Sequence, residues 1–369
     1  MKKSVLIIRW IVGLLFIFSG LIKANDPLGL SYKMQEFFDV WNWNGLQNFT
    51  LPVSVIMNVF EVVAGVAIII GWRMKLFSWL LLLLIIFFSF LTGYAMFSGK
   101  IKTCGCFGDC LPLSPAQSFT KDIILLALIL FIFYQRKKIS SSVKPFTAIS
   151  IISLCTAGTF YFQFYVMKHL PVLDCLPYKT GNNILEQMQP PQGSVPDSTV
   201  LIFKYRKDGK DFEFTEQTLP EDIDSYQFVD RIDKIIFKGN NTPPISDLAF
   251  FTANGTDTTQ AILLQPDYYL LLVANDFSTE HRWQNAEFGE LKQILAQKNI
   301  PLFIVSSDKQ NGIDYTAKNK NITLLLCDAT VLKTAARVNA TYFIMQGATV
   351  KAKFSFEDIT KNMEMIKGL

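Results

Sequence analysis

Leu76-Phe-Ser-Trp-Leu-Leu-Leu-Leu-Leu-Ile-Ile-Phe-Phe-Ser-Phe-Leu-Thr-Gly-Tyr-Ala-Met-Phe97 runs for 22 residues without a single charge. A helix rising about 1.5 Å per residue crosses a hydrocarbon core of about 30 Å with some 20 such residues, so this stretch reads as a membrane span. Working outward, residues 4–22 and 52–71 precede it and residues 119–134 and 146–167 follow it as further apolar segments. Five spans are therefore expected. The fourth is short, and is expected to begin nearer Pro115 or to sit in thinned bilayer. Half of the 369 residues are hydrophobic and 32 are Phe, but from residue 176 the pattern turns to the mixed polar one of a water-soluble domain.

The N-terminus resembles a secretory signal in having Lys2 and Lys3 before an apolar run, yet no small-x-small cleavage site follows and Arg9 and Trp10 interrupt the run. It reads as a retained first helix. One set of span ends carries Lys2, Lys3, Arg73, Lys75, Arg136, Lys137, Lys138 and Lys144 without an acidic residue. The opposite set mixes Lys23, Lys33, Lys100, Lys102 and Lys121 with Asp26, Glu36, Asp39, Asp109 and Asp122. The positive-inside rule puts the first set in the cytoplasm, so the loop at 98–118 and the C-terminal domain are expected on the periplasmic side of an inner, cytoplasmic membrane. The net charge of +4 belongs to these loops and not to a nucleic-acid surface, which leaves the lipid bilayer as the evident partner.

The outward loop reads Lys102-Thr-Cys104-Gly-Cys106-Phe-Gly-Asp-Cys110. Three thiols in a glycine-bearing turn can close a C-x-C or a C-x3-C disulfide, and a bridge across one glycine would exchange readily. Two readings stay open: a structural staple with one thiol left over, or a redox-active loop in which Cys104, Cys106 and Cys110 exchange electrons with a membrane carrier or a protein. Three sulfurs are one ligand short of a closed zinc site and neither histidine is near in sequence, so no metal is assigned.

Glu61 falls within the second span, where an ionised carboxylate costs roughly 2.5–3.5 kcal/mol and calls for a partner or a proton. Arg9, on the antiparallel first span, is the expected partner, as a structural clamp or as part of a polar cofactor pocket. Ser31 to Val40 reads as an interfacial amphipathic helix, followed by Trp41 and Trp43.

Taken together, Arg9-Trp-Ile-Val-Gly13 through Ser19-Gly-Leu-Ile-Lys23, Asp26-Pro-Leu-Gly29, Glu61-Val-Val-Ala-Gly65 with Gly71, and Cys104-Gly-Cys-Phe-Gly-Asp109 with Lys121-Asp122 resemble the DoxX family and the related MauE-like membrane proteins. The resemblance spans about the first 135 residues and implies a four-helix core over 1–140, to which 145–168 adds a fifth helix. It further implies a link to quinone-coupled sulfur redox or to maturation of an exported protein. The second C-x-x-C of the similar vitamin K epoxide reductase bundle is missing.

After His169 come a stiff Pro-bearing exit and Cys175, then a linker with a small β addition over 169–242, in which Thr199–Tyr205 and Asp211–Thr215 flank the hairpin signal Lys-Asp-Gly-Lys. From 243 to 369, apolar strands at Tyr268–Ala274, Pro301–Ser306 and Ile322–Leu326, helices at Ala286–Lys298 and Thr330–Val338, and a closing hairpin across Gly347 predict an α/β sheet. The order resembles thioredoxin-like domains, but Asn275-Asp-Phe-Ser-Thr-Glu-His281 stands where that family carries C-x-x-C, and Val338-Asn-Ala-Thr341 lacks its cis-proline. A binding domain without a thiolate is expected; Ser278 and His281 read as solvated loop residues, and Cys155 and Cys327 as packing.

Two functions follow. The first is a membrane accessory of envelope thiol–disulfide redox or protein maturation, with the loop cysteines exchanging, a quinone as candidate cofactor beside Glu61 and Arg9, and an envelope protein partner on the soluble domain. The second is a non-enzymatic envelope scaffold with a structural disulfide.

Overall fold

The computed structural model describes residues 2–101, 103–196, 198–237, 239–275, 277 and 280–369. Lys102, Ser278 and the side chains of Lys2 and His281, which enter the reading above, lie outside the described residues.

Among the described residues, five helices are long and apolar enough to cross a membrane. They are α1 (Lys2–Asn25), then, after the shorter α2 (Pro27–Val40), α3 (Thr50–Ile70), α4 (Met74–Ser98), α5 (Pro115–Gln135) and α6 (Pro145–His169). The fourth span begins at Pro115 because Ser114 and Gln117 form a reciprocal capping box and proline occupies the first turn, where its missing N–H costs nothing. Gly71, at φ +74°, ends α3 in the left-handed conformation that a glycine adopts without strain.

Gly13 and Gly65 set the crossing of α1 and α3. A Cβ on Gly13 would stand 2.8 Å from the Gly65 carbonyl, and one on Gly65 would stand 2.6 Å from the Gly13 carbonyl. Neither backbone could approach so closely with a side chain present. This contact fixes the antiparallel register, so that residue pairs summing to about 78–84 face each other, as Gly20 faces Val62. Val12, Phe16, Ile68, Leu81, Ile85 and Ile129 fill the interior. On α6, the fully buried Gln163 receives a hydrogen bond from Asn58 Nδ2 (3.0 Å) and donates to the Val55 carbonyl (3.2 Å).

Residues 182–248 form a compact unit of their own. It contains α7 (Ile184–Gln187) and the strands β1 (Ser198–Lys207), β2 (Lys210–Thr215) and β3 (Gln227–Phe237). They make an antiparallel sheet in the order β2-β1-β3. Asp208 and Gly209, both at positive φ, form the expected tight turn. β3 has no counterpart in the sequence reading, because Asp230, Arg231, Asp233 and Lys234 mask its alternation.

The remaining α/β domain belongs to the same compact unit as the bundle. It contains α8 (Thr259–Leu263), β4 (Tyr268–Val273), α9 (Glu280–Trp283), α10 (Ala286–Gln297), β5 (Leu302–Ser306), α11 (Lys309–Lys318), β6 (Ile322–Leu326), α12 (Ala329–Ala335), β7 (Thr341–Gln346), β8 (Thr349–Ser355) and α13 (Ile359–Lys367). The sheet runs β6-β5-β4-β7-β8, with β4, β5 and β6 parallel and β7 and β8 antiparallel. This is a thioredoxin-like arrangement, and both faces of its central strands are buried, which explains why β4 reads as an unbroken apolar run. Trp283, Phe288, Leu291 and Tyr342 lie in the core beside it. Residues 338–341 have no proline, as the sequence reads, and the Asn339–Ala340 peptide bond there is cis.

Candidate thiol site

The loop between α4 and α5 holds its cysteines in two different settings. The Gly108 N–H donates to the Gly105 carbonyl at 3.1 Å, with both glycines at positive φ, and this turn separates Cys106 from Cys110. Cys110 is bonded to Cys175, 65 residues further on, with 4.9 Å between the Cα atoms. The C-x3-C alternative of the sequence reading is therefore replaced by a long-range bridge. The chain leaving α6 is brought to the loop by Asn25 at the end of α1, whose Nδ2 donates to the Leu173 carbonyl (2.9 Å) while its Oδ1 accepts from the Leu173 N–H (3.1 Å). Cys104 and Cys106 remain free thiols, as do the half-buried Cys155 and the buried Cys327. Burial raises Cys327 to about 11, as expected of a packing residue.

Each half of the bridge is also gripped from the α/β domain. Arg337 Nε donates to Asp26 Oδ2 at 2.8 Å and its Nη2 donates to Asp109 Oδ2 at 2.7 Å, next to Cys110. Lys353 Nζ donates to Asp174 Oδ2 at 2.7 Å, next to Cys175. Both cations are buried. Burial alone would lower the Arg337 guanidinium, but Asp26 and Asp109 outweigh it and hold it charged. For Lys353 burial prevails over Asp174, and its ammonium is lowered. A further contact, His169 Nδ1 to Asp358 Oδ2 at 2.9 Å, ties the end of α6 to the start of α13.

The free pair faces the bundle. Cys104, Gly105 and Cys106 line a cavity of about 50 Å³ whose walls include Met34, Phe37, Phe88 and Leu91, with Lys23, Lys33 and Lys121 among its polar members. Lys23 forms a buried ion pair with Glu61, and Ser19 Oγ contacts both Glu61 Oε2 (3.0 Å) and the Cys106 carbonyl (3.1 Å). Thr92 donates to Asp122 Oδ2 at 3.0 Å, and Lys121 lies 2.7 Å from Asp122 Oδ1. Burial, then the neighbouring Cys106, pushes the Cys104 thiol up to about 11 against the pull of Ser118 and Lys33. Burial likewise raises Cys106, opposed chiefly by Lys121 and Lys23. At neutral pH both sulfurs are therefore thiols, a form that is slow to attack.

Arg9 does not pair with Glu61. Its Nε donates to the Ile68 carbonyl at 2.9 Å and its Nη2 to the Ile69 carbonyl at 2.7 Å, so the guanidinium caps the C-terminus of α3. The helix register explains the correction: in an antiparallel pair facing at a constant sum, Arg9 meets residues near 69, and Glu61 meets Ser19 and Lys23. The signal was present in the sequence, since Ser19 and Lys23 stand four residues apart on one helical face. The proposed cofactor pair is thus two separate sites.

Residues 1–135 match the family model of the methylamine utilisation protein MauE, and residues 199–238, which hold the three-stranded sheet, match a domain of unknown function (DUF8463). Of the two family names that the motifs suggest, the matching model carries that of MauE. Protein TlpB of Flavobacterium psychrophilum is 24% identical over 322 residues, covering 84% of this chain and 81% of the relative. Among solved structures, the C-terminal domain of a proposed thiol-disulfide oxidoreductase from Bacteroides thetaiotaomicron covers 32% of this chain and 90% of its own length, at 16% identity and a TM-score of 0.27. A thio-disulfide isomerase from Thermus thermophilus covers 33% of this chain and 93% of its own, at 15% identity and a TM-score of 0.25. The chain is a multi-pass membrane protein, similar to MauE in its bundle and to TlpB over most of its length, with a thioredoxin-like domain at its C-terminal end.

Proposed function

We propose that the protein is a membrane-embedded thiol–disulfide exchange component of the cell envelope, with Cys104 and Cys106 as its exchanging pair. The observation that carries this reading is the pair of free thiols, one glycine apart, lining a cavity among lysines while the third loop cysteine is already committed to Cys175. In the exchange, the two thiols lose two electrons and two protons and form the Cys104–Cys106 bond. The disulfide of a partner protein breaks and takes up both electrons and both protons as two thiols. The reverse reaction would oxidise a partner dithiol. Cys110–Cys175 holds the loop in place and supports an oxidising compartment, hence a periplasmic loop and C-terminal domain with the N-terminus in the cytoplasm. The α/β domain has no cysteine between Asn275 and Trp283 and serves as a docking scaffold.

The test is thiol trapping in intact cells, comparing wild type with Cys104→Ser and Cys106→Ser, with and without quinone depletion. A mixed population of reduced and oxidised pair, shifting with the redox state of the envelope, is expected. A pair that stays in one state under every condition would overturn exchange and favour the scaffold reading. A shift that tracks quinone depletion would support the exchange reading and place a quinone upstream of the pair.

A further inference from the structure

A thiol pair that exchanges must form a thiolate, yet burial disfavours the charged form of both sulfurs. Something must offset that cost at the moment of attack. The first turns of α5 carry two groups suited to it. Ser118 is fully buried one helical turn before Lys121 and Asp122, and among the described residues its hydroxyl has no hydrogen-bond partner. A buried hydroxyl left unsatisfied is destabilising, so its placement there calls for an acceptor that is not always present. Lys121, one turn further along, places its Nζ 5.0 Å above the Phe107 ring, adjacent in sequence to Cys106. It lines both the thiol cavity and a smaller one of about 20 Å³ walled by Ser19, Phe88, Phe107 and Asp122.

We infer that Ser118 and Lys121 are the positioning residues of the exchange: Lys121 supplies the cation that offsets the Cys106 thiolate, and Ser118 donates a hydrogen bond to whichever sulfur is ionised. The charged and titratable groups around the pair agree with this division. Cys106 meets Lys121 and Asp122 from α5 and Lys23 from α1, the last held by Glu61 of α3, whereas Cys104 meets Lys33 from α2, Asp122 and Cys106. Lys23 is neutralised by Glu61 at contact distance. Lys121 lies against Asp122, whose second oxygen is occupied by Thr92, and is the dominant cation acting on Cys106.

Such a site rests on the exchange reading for its purpose, but it can be tested in the reduced full-length protein without any turnover. Iodoacetamide alkylation of Cys106 is followed by mass spectrometry as a function of pH in the Cys104→Ser chain, and that of Cys104 in the Cys106→Ser chain, each in detergent. Lys121→Met should slow Cys106 alkylation roughly tenfold at fixed pH, the size of a one-unit rise in its pKa, and slow Cys104 much less. Lys121→Arg should restore the rate. Ser118→Ala should slow both thiols, and unlike Lys121→Met it removes no charge and fills no space, which keeps the test open if the lysine variant fails to fold. Unchanged or faster alkylation in Lys121→Met and Ser118→Ala would overturn the assignment, as would equal slowing of both thiols by Lys121→Met. If the alkylation shifts appear but the pair never cycles in cells, the exchange reading fails and the electrostatic assignment stands.

Discussion

Cys104 and Cys106 share a loop with Cys110, but the two sulfur pairs that result have opposite surroundings. The free pair faces apolar walls and the buried polar side chains of the bundle. The bridged pair is flanked by Asp109 and Asp174, each held by a buried cation of the α/β domain. A disulfide closed over 65 residues and fastened by two ion pairs is built to persist. On the proposed reading, the two thiols left in the cavity are the exchanging pair. The difference teaches that one short loop holds both a free and a cross-linked cysteine setting, with a single glycine turn between them.

That division can be broken at several points. The largest effect is expected at Glu61→Gln, which leaves Lys23 buried without its counter-charge and should cost about 3–5 kcal/mol in a detergent unfolding titration. The double variant with Lys23→Met should recover most of the loss; if it does not, the pair does more than neutralise itself. Next, Cys175→Ser should cost about 2–4 kcal/mol, whereas Cys104→Ser or Cys106→Ser should change stability by less than about 1 kcal/mol. Equal losses would erase the distinction between a structural and a reactive pair. The smallest effect is expected at Asp109→Asn. Its carboxylate is 41% exposed and Arg337 keeps Asp26, so about 1 kcal/mol or less should be lost, and the loss should shrink further as salt is added.

Much of the architecture was legible because periodicity and length carry it. The apolar run at 76–97 could only be a span, and the strands at 268–274 and 301–306 were too short and too evenly apolar for anything but a covered sheet. β3 was not legible, since its charged residues hide the alternation; α13 was missed although Ile359, Met363 and Ile366 stand at i, i+4 and i+7 on one buried face. At the site, the thiol loop announced itself by composition. The partners of its neighbours did not, because a charge within a span states a need without naming what meets it. Arg9 and Glu61 were paired on the assumption that two buried opposite charges find each other, whereas helix register sent one to a helix terminus and the other to Lys23.

The sequence by itself determined that the chain crosses a membrane, that a cysteine loop lies between two of its spans, and that the α/β domain lacks a thiolate at its usual place. Those are properties of local composition, and each is fixed by residues close together in the chain. Only the tertiary structure decided that Cys110 belongs to Cys175 and that Lys121 lines the cavity of the two remaining thiols. Pairings across 65 residues of chain depend on helix crossing and on the docking of the α/β domain, and a close approach such as that of Gly13 to Gly65 sets them all at once.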